Sequence, residues 1–321
     1  MNVLYVTNMY PSEATPFEGV FIKEQVEYCH KVYGINYKLF VIDRSRHKYL
    51  NYLSSIFKIK NVISKGNFDL IHIHFGLAGI FLLLNPLIKV PVIVTFHGSD
   101  IISFKKKEGL MQKISHMVAA RADKIIILND KMASKLGKYQ NKSVKIPCGI
   151  NTEIFKVARN NLKNRKLVIG FPSDRNREVK NYPLFKAVVN ILLEKRFQIE
   201  TLEFANFSRI EMAQNLSRLD CLLMTSFSEG SPQIVKEAMV CGVPIVTTRV
   251  GDVANLLNGV KNCAVVDSFD ACLLAEKVCE ILKLAPKDRF TNGSEKITQL
   301  ALNQEKVCSN IYDVYQSLLV Q

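Results

Sequence analysis

The 321-residue chain has no tryptophan, and its eight cysteines (Cys29, Cys148, Cys221, Cys241, Cys263, Cys272, Cys279 and Cys308) include no C-x-x-C pair. Without that spacing there is no zinc-ribbon or dithiol signature. Most of these thiols sit in apolar runs, where cysteine packs as a small hydrophobe, so they are expected to be reduced in a cytosol. No G-x-G-x-x-G and no G-x-x-x-x-G-K-[ST] occurs, which counts against a nicotinamide enzyme and a P-loop ATPase. Long apolar runs are missing too: the most membrane-like segment, Leu77 to Leu84, is followed by Asn85, Pro86, Lys89 and Pro91 and is too short to span a bilayer. The opening MNVLYVTNMYP reads as a short apolar strand with no basic leader or cleavage site, so no secretion signal is expected. Negative charge is also scarce, with 29 Asp+Glu against 43 Lys+Arg.

The excess of positive charge is unevenly placed. Residues 1 to 155 carry 21 Lys+Arg against 11 Asp+Glu, net +10, and residues 156 to 321 carry 22 against 18, net +4, giving +14 for the chain. The basic half contains Lys105, Lys106 and Lys107, the scattered set Arg44, Arg46, Lys48, Lys58 and Lys60, and Lys131, Lys135 and Lys138 at helical spacing. These side chains are read either as a solvated surface or as attraction for an anionic partner, nucleic acid or a membrane leaflet. They are not interleaved with a run of aromatic stacking residues, which weighs against nucleic acid.

What the chain does have is apolar material for two cores, 48% of its residues, in a regular order. Val3 to Thr7, Tyr37 to Asp43, Leu70 to His74, Pro91 to Phe96, Lys124 to Leu128 and Ser143 to Ile146 read as short strands. They alternate with helical periodicity such as Val20 to Val32 and Leu110 to Ala122. A second series runs through Leu167 to Phe171, Cys221 to Thr225, Pro244 to Thr248 and Cys263 to Val266. The alternation predicts two α/β domains, each a mainly parallel sheet with helices on both faces. Ile146 to Phe155, which contains Pro147 and Gly149, lies between the two series.

The densest signal is Ser226 to Leu257, SFSEGSPQIVKEAMVCGVPIVTTRVGDVANLL, where Glu229 and Glu237 stand eight residues apart. Leu222 to Met224 end a buried strand, Ser226 to Gly230 form a polar turn, Ser231 is a plausible N-cap, and Pro232 suits the first helical position. Glu229 then sits in a loop at a strand end and Glu237 about one and a half turns into the helix. Between them the N–H groups of Gln233, Ile234 and Val235 can receive a phosphate. Carboxylates on each side of an anion site suit a ligand with hydroxyls at both ends and phosphates in the middle, the layout of a nucleotide sugar.

At these residues the chain resembles the GT-B glycosyltransferases of family 4, whose donor site has the form Glu, seven residues, Glu. The likeness continues through Glu237-Ala238-Met239, Gly242-Val243-Pro244 and the Val250-Gly251 turn. It implies two doubly wound Rossmann-like domains facing a central crevice: 1–155 binding the acceptor, 156–303 binding the nucleotide sugar, and a last helix, 304–321, packing back on the first domain. By the same resemblance TFHGSD, Thr95 to Asp100, matches the family's HGxD turn, with His97 pointing at the donor sugar and departing phosphate. Phe171 to Phe185, FPSDRNREVKNYPLF, aligns with the turn whose Arg and Lys hold the diphosphate; Lys180 matches, and the Arg is either Arg175 or Arg177. Gly19, alone where relatives often have Gly-Gly, would let backbone approach a phosphate or the acceptor, or is an ordinary helix start.

The implied reading is a retaining hexosyltransferase in which Glu237 holds ribose hydroxyls, Glu229 with Gly230 and Ser231 faces the sugar, and Lys180, one arginine and the helix amides neutralise the leaving diphosphate. No cofactor is implied beyond the nucleotide sugar, with UDP favoured over GDP. No two aspartates lie two apart, so the Asp-x-Asp metal site of the other large glycosyltransferase fold is missing and no metal is expected. His72 and His74 alternate on one strand face without a visible third ligand. Two departures bear on the sugar: Asn255 stands where many relatives have Glu, and Pro232 removes a backbone donor. The expected partners are a saccharide or lipid-linked acceptor and an anionic membrane surface, with a cytoplasmic enzyme docked on the inner face of the cell membrane. The competing readings are a basic nucleic-acid- or membrane-binding protein with an idle donor site, and an epimerase or hydrolase on the same fold.

Overall fold

The computed structural model describes residues 1–44, 48–85, 87–103, 109–156 and 165–319, with 48 and 49 by backbone alone. Of the basic residues singled out above, Arg46 and Lys105 to Lys107 lie outside the described set. The chain forms two compact units, unit 1 being Met1–Gly149 with Gln304–Gln321 and unit 2 being Ile150–Asn303.

Unit 1 carries six strands: β1 (Asn2–Thr7), β2 (Asn36–Val41), β3 (Leu70–His74), β4 (Val92–Thr95), β5 (Lys124–Ile127) and β6 (Ser143–Lys145). They pair in the order β2-β1-β3-β4-β5-β6, every pair parallel. Unit 2 carries β7 (Leu167–Phe171), β8 (Ile199–Glu203), β9 (Cys221–Met224), β10 (Ile245–Thr248) and β11 (Cys263–Val266), in the order β11-β10-β9-β7-β8 and again parallel throughout. Parallel strands need crossover connections, which cover both faces of the sheet and bury the central strands as unbroken apolar runs. The period of two then divides each strand between two cores. Leu4 and Val6 enter one cluster with Ile71, Ile73 and Val94, while Val3 and Tyr5 enter another with Leu70, Ile93 and Ile126.

The second of these clusters is completed from the far end of the chain. Helix Gln304–Leu319 supplies Val307, Cys308, Ile311 and Tyr315 to it, so the helix returns to unit 1. Its anchor is polar. The Tyr315 hydroxyl lies 3.1 Å from that of Tyr5 and 2.5 Å from His72 Nδ1, and His72 Nε2 lies 2.7 Å from Thr95 Oγ1. Both ring nitrogens of His72 are therefore engaged, and burial holds the ring neutral by lowering its pKa well below 6.5. This accounts for half of the His-x-His pair without a metal.

The division between the units falls between Gly149 and Ile150, where the sequence placed it near residue 155. The Ile150 amide donates to Leu302 O at 2.9 Å, Ile150 bridges to Asn303, and Phe155 is fully buried in the core of unit 2, so these residues belong to that unit. The strand series read from the sequence lacks β8, and the outer face of one helix is more apolar than a solvated helix requires. Strand β8 is an edge strand with a half-exposed pattern, and helix Lys48–Lys65 keeps several apolar residues on its outer face.

Removing the Tyr315 hydroxyl strands its buried partners, Tyr5 and His72. Tyr315→Phe is expected to cost about 1–3 kcal/mol, seen as a fall in thermal midpoint. An unchanged midpoint would show that the helix is held by its apolar residues alone.

Candidate active site

In unit 2 the functional groups gather at the carboxyl ends of β7 and β9, where open α/β sheets place their ligands. A 3-10 turn at Glu178–Lys180 follows β7 and carries Lys180, 7% exposed. Lys180 Nζ donates to Glu229 Oε1 at 2.6 Å, and Ser226 Oγ donates to the same oxygen at 2.7 Å. The two loops are tied together by backbone: Phe227 N–H donates to Val179 O, and Thr225 Oγ1 donates to Lys180 O and Asn181 O. Lys180 and Glu229, 49 residues apart, thus meet as a buried ion pair.

Glu237 is also paired, by a residue the sequence reading missed. Arg209 NH1 donates to Glu237 Oε1 at 2.6 Å, with the guanidinium 4.5 Å above the Phe155 ring. Arg209 opens helix Arg209–Ser217, which is capped by Ser208 and Glu211 in a reciprocal capping box. The S-x-x-E spacing was the available signal: it fixes where the helix starts and therefore puts an arginine in its first turn.

The loop between the two glutamates differs from expectation in its cap. The helix runs Gln233–Val240, and Pro232, not Ser231, occupies the N-cap with extended backbone, φ −68° and ψ 116°. With that ψ, Pro232 stands outside the helix, so the helix starts one residue later than expected. Ser231 Oγ is buried with no hydrogen-bond partner. The Val235 amide, expected to help receive a phosphate, is committed, donating to Pro232 O at 3.2 Å. Gly251, at φ +55°, lets the Val-Gly turn close on this loop: a Cβ there would stand 2.4 Å from Gly230 O.

The two arginines of the β7 turn are separated in role. Arg175 is half exposed and grips Glu203 with Nε and NH2, both at 2.5 Å, over the Tyr182 ring. Arg177 reaches Ser173 Oγ at 3.4 Å.

In unit 1, His97 follows β4 in a turn organised by Asp100. That buried carboxylate accepts from the amides of His97 (3.0 Å), Gly98 (2.9 Å) and Gly76 (3.3 Å). Gly98, at φ +123°, makes the turn possible. The His97 ring packs on Phe75 and Phe21, and its Nε2 lies 3.1 Å from His74 Nδ1. Cys148 Sγ lies 3.9 Å from Nδ1. His74 is thus the partner of His97, which accounts for the other half of the pair. Gly19 is left-handed, φ +66°, and a Cβ there would meet Met9 O at 2.5 Å, so the glycine serves the close packing of the loop after β1. Among the described residues no group of three or more His, Cys, Asp or Glu could hold a metal ion.

The architecture is that of the GT-B glycosyltransferases. Sucrose-phosphate synthase from Thermosynechococcus elongatus is similar with TM-score 0.80 at 16% identity, covering 99% of each chain. HepE of Anabaena, in complex with UDP, is similar with TM-score 0.71 at 14% identity, covering 99% of this chain and 100% of that one. The family models agree in sequence, Glycosyltransferase Family 4 over residues 13–154 and Glycosyl transferases group 1 over residues 156–284, so the chain belongs to the group 1 glycosyltransferases and is a transferase. An uncharacterised glycosyltransferase of Methanocaldococcus jannaschii is 26% identical over 291 residues, 84% of this chain and 81% of the relative. A Bacillus subtilis protein provisionally named the teichuronic acid biosynthesis glycosyltransferase TuaC is 22% identical over 327 residues, 80% of this chain and 83% of the relative.

The buried groups of unit 1 set its response to acid. Burial lowers His74 from 6.5 to about 3 and His72 well below 6.5, so both stay neutral in the fold and take up protons only when unfolded. Their stabilisation is present above pH 6.5 and is lost as pH falls. Asp100 acts in the opposite sense: burial, opposed by its backbone hydrogen bonds, raises it from 3.8 to about 6, so its contribution is present below pH 3.8 and lost as pH rises through 6. Between about pH 6 and 4 the unfolded chain binds roughly one more proton than the folded one. Stability should fall by about 1.4 kcal/mol per pH unit on acidification, and about twice that in Asp100→Asn, in urea titrations. A flat profile would mean that the histidines take up protons within the fold.

Proposed function

We propose that the protein transfers a hexose from a nucleotide diphosphate sugar, UDP-sugar in preference to GDP-sugar, to a hydroxyl of a saccharide or lipid-linked saccharide. The transfer retains configuration and uses neither metal ion nor cofactor. The observation that carries this reading is the pair of carboxylates at the strand ends of unit 2, each already set against a cation. Glu237, fixed by Arg209, is placed to take the ribose hydroxyls, and Glu229, fixed by Lys180 and Ser226, to take sugar hydroxyls, with Gly230 and the unpaired Ser231 hydroxyl beside it. A ligand with diols at its ends and a diphosphate between them matches this order. The UDP bound by HepE supports the choice of nucleotide.

As the bond to the sugar breaks, negative charge grows on the departing diphosphate. Lys180 is buried and already oriented, so its charge acts without reorganisation at the moment of reaction. The first-turn amides of Gln233 and Ile234 add partial positive charge. Arg177 is the arginine we assign to the diphosphate, because Arg175 is occupied twice over by Glu203. From unit 1 the reading takes His97 as the group that orients the donor sugar, its ring held by His74 and its backbone by Asp100. The provisional naming of the Bacillus subtilis relative supports a role in surface polysaccharide assembly. Among the described residues no helix is long and apolar enough to cross a membrane. The basic character of residues 1–155 supports a cytoplasmic enzyme held peripherally on the anionic inner face of the cell membrane, and the lack of aromatic residues interleaved with the basic ones supports the absence of a nucleic-acid partner.

A thermal-shift panel of UDP, GDP, ADP and their sugars tests the nucleotide, since specific binding stabilises the native state by an amount set by concentration over affinity. UDP compounds should give the largest shift, and equal shifts across the panel would remove the preference.

Glu237→Gln, which keeps the volume of the buried side chain, should raise the KM for donor with kcat nearly unchanged, because a ribose contact is the same in ground and transition states. Lys180→Ala should lower kcat about 100-fold or more with a small change in KM. Normal turnover in Lys180→Ala would overturn its role.

A further inference from the structure

One face of unit 1 is more apolar than a freely solvated surface requires. Helix Lys48–Lys65 packs beside the 3-10 helix Gly76–Leu84, which packs in turn against helix Leu110–Arg121. All three bury their inner sides in the same core, through Tyr52, Ile56, Phe81 and Val118 among others. Their outer sides are also apolar: Phe57 is 73% exposed, Leu110 73% and Leu87, just beyond the middle helix, 88%, with Leu50, Leu53 and Leu84 each more than half exposed.

The first helix is the most ordered part of this face. At 100° per residue, Leu50, Leu53 and Phe57 fall within about 60° of one another, on an arc centred about 125° from that of the buried Tyr52, Ile56 and Ile59. Lys58 and Lys65 lie on one flank of that stripe and Lys60 on the other, all exposed. None of the three helices contains an aspartate or glutamate. Protein interfaces are depleted in lysine, whereas a helix lying in a lipid headgroup region carries an apolar stripe bordered by lysines whose stems reach outward. The charge fits an anionic surface.

We infer that this layer is a membrane-docking face: Leu50, Leu53 and Phe57 enter the acyl boundary of an anionic bilayer while Lys58, Lys60 and Lys65 meet the headgroups. This rests on the membrane placement proposed above and deepens it by naming the surface and by adding burial of apolar side chains to charge. The two contributions respond differently to salt. Charge is screened, with a reach of about 8 Å at physiological ionic strength and about 3 Å at 1 M, but apolar insertion is not. Docking should therefore weaken with salt and leave a residue that salt does not remove.

The chain has no tryptophan, so Phe57→Trp creates a single fluorescent reporter. The experiment uses the full chain with phosphatidylcholine vesicles, with and without phosphatidylglycerol, across a salt series. The Phe57→Trp variant should shift its emission to the blue on anionic vesicles and be quenched by brominated acyl chains. Leu53→Ser/Phe57→Ser should lose at least about tenfold of the salt-resistant binding, and Lys58→Glu/Lys60→Glu the salt-sensitive part. Thermal midpoints and the UDP-induced shift of the variants should match those of the parent, since no donor-site residue is changed. Wild-type-like sedimentation of the serine variant would overturn the proposal. So would a wild-type dimer that this variant turns into a monomer without vesicle binding, which would make the face an interface between copies. Vesicle binding without any nucleotide-induced shift would leave the docking face standing and sink the donor reading instead.

Discussion

Two largely buried ion pairs, Lys180 with Glu229 and Arg209 with Glu237, organise the loops at the strand ends of unit 2. An ionised carboxylate in this setting would be costly alone, and so would the cation, but each removes the other's penalty and a further hydrogen bond from Ser226 completes the first pair. The two glutamates are therefore held in fixed positions, Glu229 in the loop after β9 and Glu237 in helix Gln233–Val240. The same pairs explain why the loop backbone is so strongly tied. Phe227, Thr225 and Thr248 all spend hydrogen bonds on holding the Ser226–Glu229 turn in register with Lys180.

Unit 1 solves a related problem with neutral groups. The turn carrying His97 is held by a buried aspartate that collects three backbone amides, and the ring is held by a second histidine that burial keeps uncharged. Burial thus keeps His74, the histidine behind His97, neutral, while unit 2 relies on ion pairs.

Most of the central strands were legible because parallel sheets covered on both faces leave continuous apolar runs, as in Leu70–His74 and Cys221–Met224. Strand β8, Ile199–Glu203, was not, because an edge strand with glutamates at positions 200 and 203 carries no such run. The Glu-x7-Glu loop was legible as local sequence. Lys180 was legible through the family resemblance, but its pairing with Glu229, and Arg209 altogether, were not, because these contacts arise only through the order of strands, which local spacing does not encode. Ser231 shows the limit at finer scale: propensity favours serine as the cap, yet Pro232 takes that position with extended backbone and the helix starts at Gln233. The exposed stripe of helix Lys48–Lys65 also escaped notice, since apolar residues on both sides of a helix blur its periodicity.

Unit 2 is inserted in the chain between the body of unit 1 and the helix that completes it. During synthesis β1 to β6 therefore emerge well before Tyr315, and the inner positions of Tyr5, Ile22, Val26 and His72 wait uncovered while more than 150 further residues are made. The first unit is thus begun first and finished last. A nascent chain halted anywhere within unit 2 would expose an apolar face with an unmet histidine at its centre, a natural target for holding chaperones and for quality control.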